Sequence, residues 1–253
     1  MYKVYGIFQG SREIDYTELL PNVYDRSTKG LIYYPLWCIK GNDTCILVDT
    51  GLNDEDARML LAHEYFGGER YIKETLNKLG ADADSIGTVI VSHLHIDHFS
   101  ASHLYPNATF YIQRKDIEFF SGPASQFRQI YIPSADMPTV MKYAYSKRIR
   151  YLNGDEQIAP GIRVVLIGGH TPGNQVIVVS TRKGDIVLCC DAMQLYANIK
   201  EESVGIATNL PEALFGLEKI KQLTSSPDNL IPGHDPLLLK KFSGPIENVI
   251  EIA

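Results

Sequence analysis

The sequence predicts an α+β protein in which two β-sheets stack face to face between outer helices. Two runs of short apolar segments have the composition of strands, one ending near residue 112 and one spanning 162 to 231, and helix-like segments accompany each run. The chain has 253 residues, of which 45% are hydrophobic, so it is long and apolar enough to bury the core between two stacked sheets. No linker, repeat or low-complexity tract interrupts it. We therefore expect one domain over residues 1–253.

The first run consists of apolar segments bounded by turn residues. A helix is predicted over 69–79, because apolar side chains recur there at helical spacing and Gly80 follows. The third strand ends at Asp49, whose carboxylate can cap backbone donors or orient a nearby ligand histidine. The elements predicted in this half are strands at 2–9, 31–40, 45–49, 88–91 and 108–112, and helices at 69–79 and 115–120.

Residues 121–150 differ in composition from the segments on either side. They are rich in Tyr, Pro, Ser and Met, with short helical pieces among irregular ones. An aromatic segment of this length can wall a binding pocket, or it can simply cover one face of the core. We expect an insertion that covers the substrate. Its large side chains include Phe127, Tyr131, Met137, Met141, Tyr143 and Tyr145.

The second run resumes after this segment. A helix is predicted over 211–223, with Pro211 in its first turn, where a missing backbone N–H costs nothing. The strands predicted here are 162–167, 175–180, 185–190 and 230–231.

The charge and composition of the chain indicate which kind of molecule it binds. The net charge of −6 and the dispersed Lys and Arg disfavour a nucleic-acid surface, so we expect a small-molecule substrate. No targeting segment or membrane-spanning run is evident, which predicts a soluble protein of the cytoplasm, as a monomer or homodimer. The four cysteines form no CxxC pair, and we expect buried free thiols.

One short stretch carries most of the chemical signal. His93, His95, Asp97 and His98 fall within six residues, directly after the apolar strand Thr88–Val91. Imidazole and carboxylate are ligands that suit zinc and neighbouring first-row metals. In an extended segment His93 and His95 share a side, whereas a following helical turn can direct Asp97 and His98 toward a second point. The stretch can therefore serve two metals.

Three further candidates lie where strands of the second run end. His170 follows the strand at 162–167, Asp191 follows 185–190, and His234 follows the last short strand. Strand ends of a layered sheet fold can gather on one rim. Together with the central stretch these residues supply five histidines and two aspartates, enough for two metals with one shared carboxylate.

The motifs HxHxDH at 93–98, HTPG at 170–173, Asp191 and the closing Gly233-His234 resemble the metallo-β-lactamase superfamily in kind and order. The resemblance implies an αββα four-layer sandwich of two mixed sheets, with a dinuclear site on one edge. It implies two divalent metal ions, zinc in the first place, with iron, cobalt or manganese able to fit the same ligands. The implied ligands are His93, His95 and His170 for one metal and Asp97, His98 and His234 for the other, with Asp191 bridging.

A narrower resemblance, carried by Tyr34–Cys38, Ile46–Gly51, Gly154-Asp155 and Gly173 leading to Gln175, is to N-acyl homoserine lactone lactonases and related lactonases such as 4-pyridoxolactonase. It implies a quorum-quenching hydrolase that opens a lactone ring by attack of a metal-bridging hydroxide. Asp97 is then expected to carry the proton to the leaving oxygen. Those lactonases have a tyrosine three residues after the bridging aspartate. Here that position is Gln194 and the nearest tyrosine is Tyr196, so either is expected to donate a hydrogen bond to the carbonyl.

Other activities use the same kind of site. Hydrolysis of another ester, or of a thioester as in relatives of glyoxalase II, is the main alternative. A β-lactam or a phosphodiester is a weaker one, since the chain lacks the basic surface that nucleic acid requires. A redox di-iron role is disfavoured because His95 stands where those relatives usually have glutamate. A non-catalytic metal-binding protein is disfavoured by the complete ligand set.

Overall fold

The computed structural model describes residues 1–23, 25, 28–41, 44–123 and 136–253. Its strands are β1 (Lys3–Asp15), β2 (Lys29–Lys40), β3 (Cys45–Val48), β4 (Glu64–Tyr65), β5 (Thr88–Ile90), β6 (Thr109–Gln113), β7 (Ile149–Leu152), β8 (Glu156–Ala159), β9 (Ile162–Leu166), β10 (Gln175–Thr181), β11 (Gly184–Cys190), β12 (Leu230–Pro232) and β13 (Val249–Glu251). Its α-helices are α1 (Asp54–Leu60), α2 (Glu69–Lys78), α3 (Ile96–Phe99), α4 (Arg114–Ser121), α5 (Met137–Tyr145), α6 (Tyr196–Lys200), α7 (Leu210–Lys221) and α8 (Leu237–Lys241).

The strands form two mixed sheets. The first has the order β13-β1-β2-β3-β5-β6-β7, with β4 paired to β1. Its β1, β2 and β3 are antiparallel, whereas β3, β5, β6 and β7 are parallel. The second has the order β12-β11-β10-β9-β8 and is antiparallel except for the β11–β12 pair. The carboxyl ends of β3 and β5 therefore lie side by side, which places the segments that follow them at one edge of the first sheet.

Side-chain alternation along the strands builds the layers. On β2, Trp37 and Ile39 face the second sheet, while Leu36 and Cys38 face the helices on the other side. On β10, Ile177 faces the first sheet and packs in the same core as Trp37. Both faces of each sheet are thus covered, which gives four layers. The outer residues are Ile72 and Leu76 of α2 and Val140 and Tyr143 of α5 on the first sheet, and Leu217 and Ile220 of α7 on the second.

The predicted two-sheet α+β architecture is confirmed. The predicted strands and the helices at 69–79, 115–120 and 211–223 are present, with bounds displaced by a few residues. The displacement is largest for β1, which was predicted to end at residue 9 and continues to Asp15. The register of this strand against β2 shifts between Phe8 and Ser11, beside Gly10, as at a β-bulge. Because the irregularity interrupts the strand pattern, the sequence predicts only the first half of β1.

The expected substrate-covering insertion at 121–150 is only partly described, because Phe127 and Tyr131 lie outside the described residues. The described part packs on the first sheet. Tyr143 of α5 stacks on Phe110 with ring centroids 5.1 Å apart, and the Arg148 guanidinium lies 4.3 Å from the Tyr143 ring centroid. Residues from 137 onward therefore cover the core, and a substrate-covering role for the segment stays a prediction.

The helices of the described ranges are short. None of them has the length and apolar character needed to cross a membrane.

Candidate metal centre

The central stretch follows β5 as the sequence predicts, and it changes from extended chain to helix at the point that separates its ligands. His93 lies in the loop after β5, His95 is the N-cap of α3, and Asp97 and His98 lie inside this helix. His93 and His95 thus precede the helix, with His95 in an extended conformation, while Asp97 and His98 come from helical backbone. This difference in backbone lets one segment contribute to two groups of side chains.

The second sheet supplies the other three side chains. His170 follows β9, Asp191 follows β11 and His234 follows β12. Close backbone packing holds two of these ends together, because a Cβ atom on Gly233 would lie 2.6 Å from the carbonyl oxygen of Cys190. Cys190, directly before Asp191, has the unusual φ of 45°, so the chain turns sharply there.

His93, His95 and His170 form the first group. Their facing ring nitrogens lie 2.8 Å (His93 Nε2 to His95 Nδ1), 3.1 Å (His170 Nε2 to His93 Nε2) and 3.0 Å (His170 Nε2 to His95 Nδ1) apart. All three side chains are buried. Three imidazole nitrogens that point at one another inside a protein have the arrangement of a metal-binding triad.

Asp97, His98 and His234 form the second group. Asp97 Oδ2 lies 3.1 Å from His98 Nε2 and 3.8 Å from His234 Nε2. Asp191 stands between the two groups. Its Oδ1 lies 2.9 Å from His234 Nε2 and 3.2 Å from His98 Nε2, whereas its Oδ2 lies 3.3 Å from His170 Nε2. One oxygen of this carboxylate therefore faces each group.

Two atoms of the second group lack the hydrogen bonds that buried polar atoms normally make. In the part of the chain that the structure describes, neither His98 Nε2 nor Asp97 Oδ1 has a hydrogen-bond partner, although both are buried. His98 Nε2 is near two carboxylates but is not oriented to hydrogen-bond to either of them. A buried ring nitrogen such as His98 Nε2 calls for a missing partner, and a cation between it and the facing Asp97 Oδ2 and Asp191 Oδ1 would satisfy its lone pair. The residues present thus fit a pair of divalent cations.

The protonation preferences of the two groups differ. Burial and the neighbouring imidazoles lower the pKa values of His93, His95 and His170, that of His95 to about 3. The first group is therefore neutral near pH 7, the form in which a ring nitrogen has a lone pair for a metal. Burial also acts to lower the pKa of His98 and His234, but there the surrounding carboxylates outweigh it and raise the pKa.

Asp97 is ionised in this setting. Burial acts to raise its pKa, but the adjacent His98 and His234 outweigh it and lower the pKa to about 2. At neutral pH its carboxylate can accept a proton.

Four of the five histidines of the site have a contact at the ring nitrogen that faces away from the cluster, including His93, whose Nδ1 lies 3.1 Å from Ser92 Oγ. His98 Nδ1 lies 2.7 Å from Asp49 Oδ2, His170 Nδ1 lies 2.8 Å from the Ile206 carbonyl oxygen, and His234 Nδ1 lies 2.7 Å from the Tyr33 carbonyl oxygen. Such contacts fix ring orientation and the tautomer. Asp49 also accepts hydrogen bonds from the Ser92 backbone N–H and hydroxyl, so it caps a backbone donor and contacts a candidate ligand histidine.

Asp116, at the start of α4, was not identified from the sequence. Its carboxylate accepts hydrogen bonds from the backbone N–H of Leu94 at 2.8 Å and of Gly173 at 2.6 Å. It therefore connects the loop of His93 and His95 to the loop of His170. Burial raises the pKa of Asp116 to about 6, against the effect of these donors and the Thr171 hydroxyl, which lower it.

The two expected carbonyl-binding residues have different surroundings. Gln194 is buried and its Nε2 donates a hydrogen bond to Asp191 Oδ2 at 2.7 Å, so it belongs to the cluster. Tyr196 is not brought into the cluster. Burial raises the pKa of its phenol, and the carboxylates of Asp235 and Asp228 raise it further. Its ring lies 5.1 Å from Lys241 Nζ, near α8. The cause is that α6 begins at Tyr196 and directs this side chain toward α8.

Tyr34 contacts the cluster instead and was also not identified from the sequence. Its ring is buried, edge-on to the His234 ring, with centroids 5.3 Å apart. Burial raises the pKa of its phenol, and Asp97 and Asp191 raise it further, as expected for a hydroxyl near their carboxylates. Tyr34 shares a face of β2 with Ile32, two residues away, but no residue pattern indicates that this face meets the cluster.

Two further histidines lie outside the cluster. His63 and His103 are both exposed, and His103 Nε2 lies 3.3 Å from Glu69 Oε2.

Comparison with known proteins is consistent with this architecture. The sequence model of the metallo-beta-lactamase superfamily matches residues 36–234. An N-acyl homoserine lactonase of Bacillus thuringiensis is 27% identical over 249 residues, covering 92% of this chain and 93% of the relative. An N-acyl homoserine lactonase of Bacillus cereus is 26% identical over 219 residues, covering 81% of this chain and 83% of the relative.

Solved structures share the fold. An N-acyl homoserine lactone hydrolase with the product N-hexanoyl-L-homoserine bound at its catalytic metal center aligns with a TM-score of 0.76 and 21% identity, over 95% of this chain and 96% of that chain. A dizinc quorum-quenching lactonase aligns with a TM-score of 0.70 and 17% identity, over 93% of this chain and 88% of that chain. At these identities the likeness shows the fold alone.

Proposed function

The chain belongs to the metallo-beta-lactamase superfamily, and on that premise we propose that it is a metal-dependent hydrolase that opens the ring of an N-acyl homoserine lactone or a related small lactone. The activity is that of its N-acyl homoserine lactonase relatives. A neutral lactone also suits a protein of net charge −6, which would repel a large anionic partner.

The position of Asp191 between two ligand groups is the observation that carries this proposal. Its two oxygens face opposite groups, which supports a pair of cations sharing one carboxylate. We assign His93, His95 and His170 to one cation and Asp97, His98 and His234 to the other. The nitrogen-rich ligand set favours zinc, and iron, cobalt or manganese fit the same atoms.

Bound there, two divalent cations supply a water of lowered pKa as nucleophile and positive charge for the developing oxyanion. The protein supplies the proton transfer. Asp97 is ionised, and its Oδ1 is buried without a hydrogen bond among the described residues. This oxygen can accept a proton from the attacking water and give it to the ring oxygen as that oxygen leaves.

Two side chains are placed to orient the lactone carbonyl. The Gln194 amide uses one N–H for Asp191, and its second N–H can donate to the substrate. Tyr34, packed against His234, offers a phenol hydroxyl with a raised pKa, which stays protonated and so remains a donor. We therefore assign the carbonyl contact to Gln194 and Tyr34 and not to Tyr196.

A substrate panel on enzyme of known metal content tests the proposal. Lactones, thioesters, β-lactams and phosphodiesters are supplied in turn, and ring opening is followed by the release of one proton per lactone. We expect turnover of N-acyl homoserine lactones by protein that carries two metal ions per chain, with activity lost on chelation and restored by zinc.

Histidine variants provide the matched control. His93→Ala is expected to lose metal and activity, whereas His103→Ala, which changes an exposed histidine, should retain both. Turnover of thioesters alone would refute the lactonase assignment and leave the metal centre intact. Full activity in protein that contains no metal would refute both.

A further inference from the structure

Two of the four thiols meet on neighbouring strands, away from the metal centre. Cys38 lies on β2 and Cys45 on β3, in a register that pairs Cys38 with Leu47 and Cys45 with Lys40. The two cysteines are therefore diagonal neighbours on the same face of the first sheet. Their sulfur atoms are 3.0 Å apart and both are free thiols. Closing this gap to a disulfide of ~2.05 Å requires about 1 Å of movement.

The two thiols differ in access and in acidity. Cys38 is fully buried, whereas Cys45 is partly exposed at the start of β3. The contact with the Cys38 thiol lowers the pKa of Cys45, and the nearby Lys40 ammonium lowers it further. The hydrogen bond to Cys45 and burial both raise the pKa of Cys38. Cys45 is thus the sulfur that solvent oxidants reach and the one that ionises first, and Cys38 lies behind it as a second thiol.

We propose that Cys38 and Cys45 form a reversible disulfide when the folded protein meets a peroxide. The Cys45 sulfur attacks one peroxide oxygen, the O–O bond breaks, and a sulfenic acid forms at Cys45 while water leaves. The Cys38 sulfur then attacks the Cys45 sulfur, an S–S bond forms, the S–O bond breaks, and a second water leaves with the Cys38 proton. Two thiols lose two electrons in total and the peroxide is reduced to two waters. A small dithiol reverses the reaction.

The cross-link would tie β2 to β3 at the end of β3 remote from Asp49. Asp49, which contacts His98 and Ser92, follows Val48 at the opposite end of β3 from Cys45. The cross-link should leave the cluster of candidate metal ligands in place. We therefore expect the oxidised protein to keep its metal content. It should also resist thermal unfolding better than the reduced protein, because the link restricts the unfolded chain.

Thiol counting and mass spectrometry of the full-length, metal-loaded protein test this proposal. After a brief treatment with hydrogen peroxide at stoichiometric amounts, we expect titratable thiols to fall from four to two and the mass to fall by two hydrogen atoms. Proteolysis without reduction should yield one peptide pair linking residues 38 and 45. The readout is independent of hydrolytic activity, so its failure would not bear on the lactonase proposal.

Matched variants distinguish this pair from general oxidation. Cys45→Ser should keep all three remaining thiols under the same treatment, while Cys189→Ser should lose the same two thiols as the parent protein. Cys189 and Cys190 serve as an internal reference, because they are adjacent in the chain but pack in different cores. Oxidation of Cys45 to sulfinic acid with Cys38 still free, or a linkage to Cys189 or Cys190, would overturn the proposal. So would an unchanged thiol count in correctly folded protein.

Discussion

Asp49 Oδ2 lies 2.7 Å from His98 Nδ1, and both side chains are buried. The same carboxylate accepts the Ser92 backbone N–H at 2.7 Å, immediately before His93. The end of β3 thus fixes both ends of the ligand stretch that follows β5. The φ of 64° at Asp49 is in the left-handed region, where aspartate and asparagine are tolerated better than most residues.

Asp49→Asn should weaken metal binding without unfolding the protein. Asparagine fits the same backbone conformation and keeps one acceptor, but it removes the negative charge that orients His98. We expect metal affinity or activity to fall by about 10 to 100-fold, as is typical when such an outer carboxylate is lost. Isothermal titration calorimetry, in which zinc is added to the metal-free protein, measures the metal affinity. Asp84→Asn, at an exposed site, is the control, and equal affinity in the two variants would show that Asp49 does not act on the metals.

Asp97→Asn tests the proton transfer. The amide oxygen can still coordinate a cation, but the side chain can no longer accept and return a proton. We expect kcat to fall by about 100-fold or more while metal content stays at two ions per chain. Elemental analysis and steady-state kinetics on the same preparation separate the two effects. Full activity at full metal content would remove Asp97 from the proton path.

Tyr34→Phe tests the proposed carbonyl donor. Phenylalanine preserves the edge contact with His234, so packing and metal content should be unchanged. We expect kcat to fall about 10-fold, the loss typical of one substrate hydrogen bond of roughly 1.4 kcal/mol. The neighbouring Tyr33→Phe is the control, since the Tyr33 hydroxyl bonds to Glu64. Identical kinetics in both variants would contradict a role for Tyr34 in catalysis.

Asp116→Asn should alter how stability depends on pH. The pKa of Asp116 is raised from 3.8 to about 6, so between these values the folded state holds a proton that the unfolded state releases. The free energy of unfolding therefore falls as pH rises through this window, by about 3 kcal/mol from this group. The variant lacks that contribution.

Urea unfolding of both proteins in metal-free form, from pH 4 to pH 7, measures the effect. We expect the parent protein to lose stability relative to Asp116→Asn as the pH increases. Parallel pH profiles would show that Asp116 is not the titrating group.

The sequence predicted the layers well because the signal for each strand is local. Runs such as Gln175–Thr181 are apolar and β-branched along their own length. The short strand Val249–Glu251 was missed because it is defined by its partners, Tyr5–Ile7, at the other end of the chain. A segment of three residues has no periodicity of its own.

At the candidate site, the sequence indicates the types and spacing of the candidate ligands, but it does not indicate the direction in which each side chain points. The short distance along the chain from Asp191 to Tyr196 favours Tyr196 as a carbonyl donor. In the structure α6 begins at Tyr196, and its side chain lies toward Lys241 of α8. Asp116 was missed because its partners are backbone N–H groups of Leu94 and Gly173, which carry no residue-type signal. The proximity of Cys38 to Cys45 depends on the strand register, which only the folded sheet fixes.

The pairing of β13 with β1 has a consequence for biosynthesis. A nascent chain that leaves the ribosome from its amino end presents the outer edge of β1 long before residues 249–251 are made. Until they arrive, Tyr5–Ile7 expose unpaired amide and carbonyl groups that other chains can pair with. A chain whose synthesis stalls before residue 249 should therefore aggregate, even though every proposed metal ligand has already been translated.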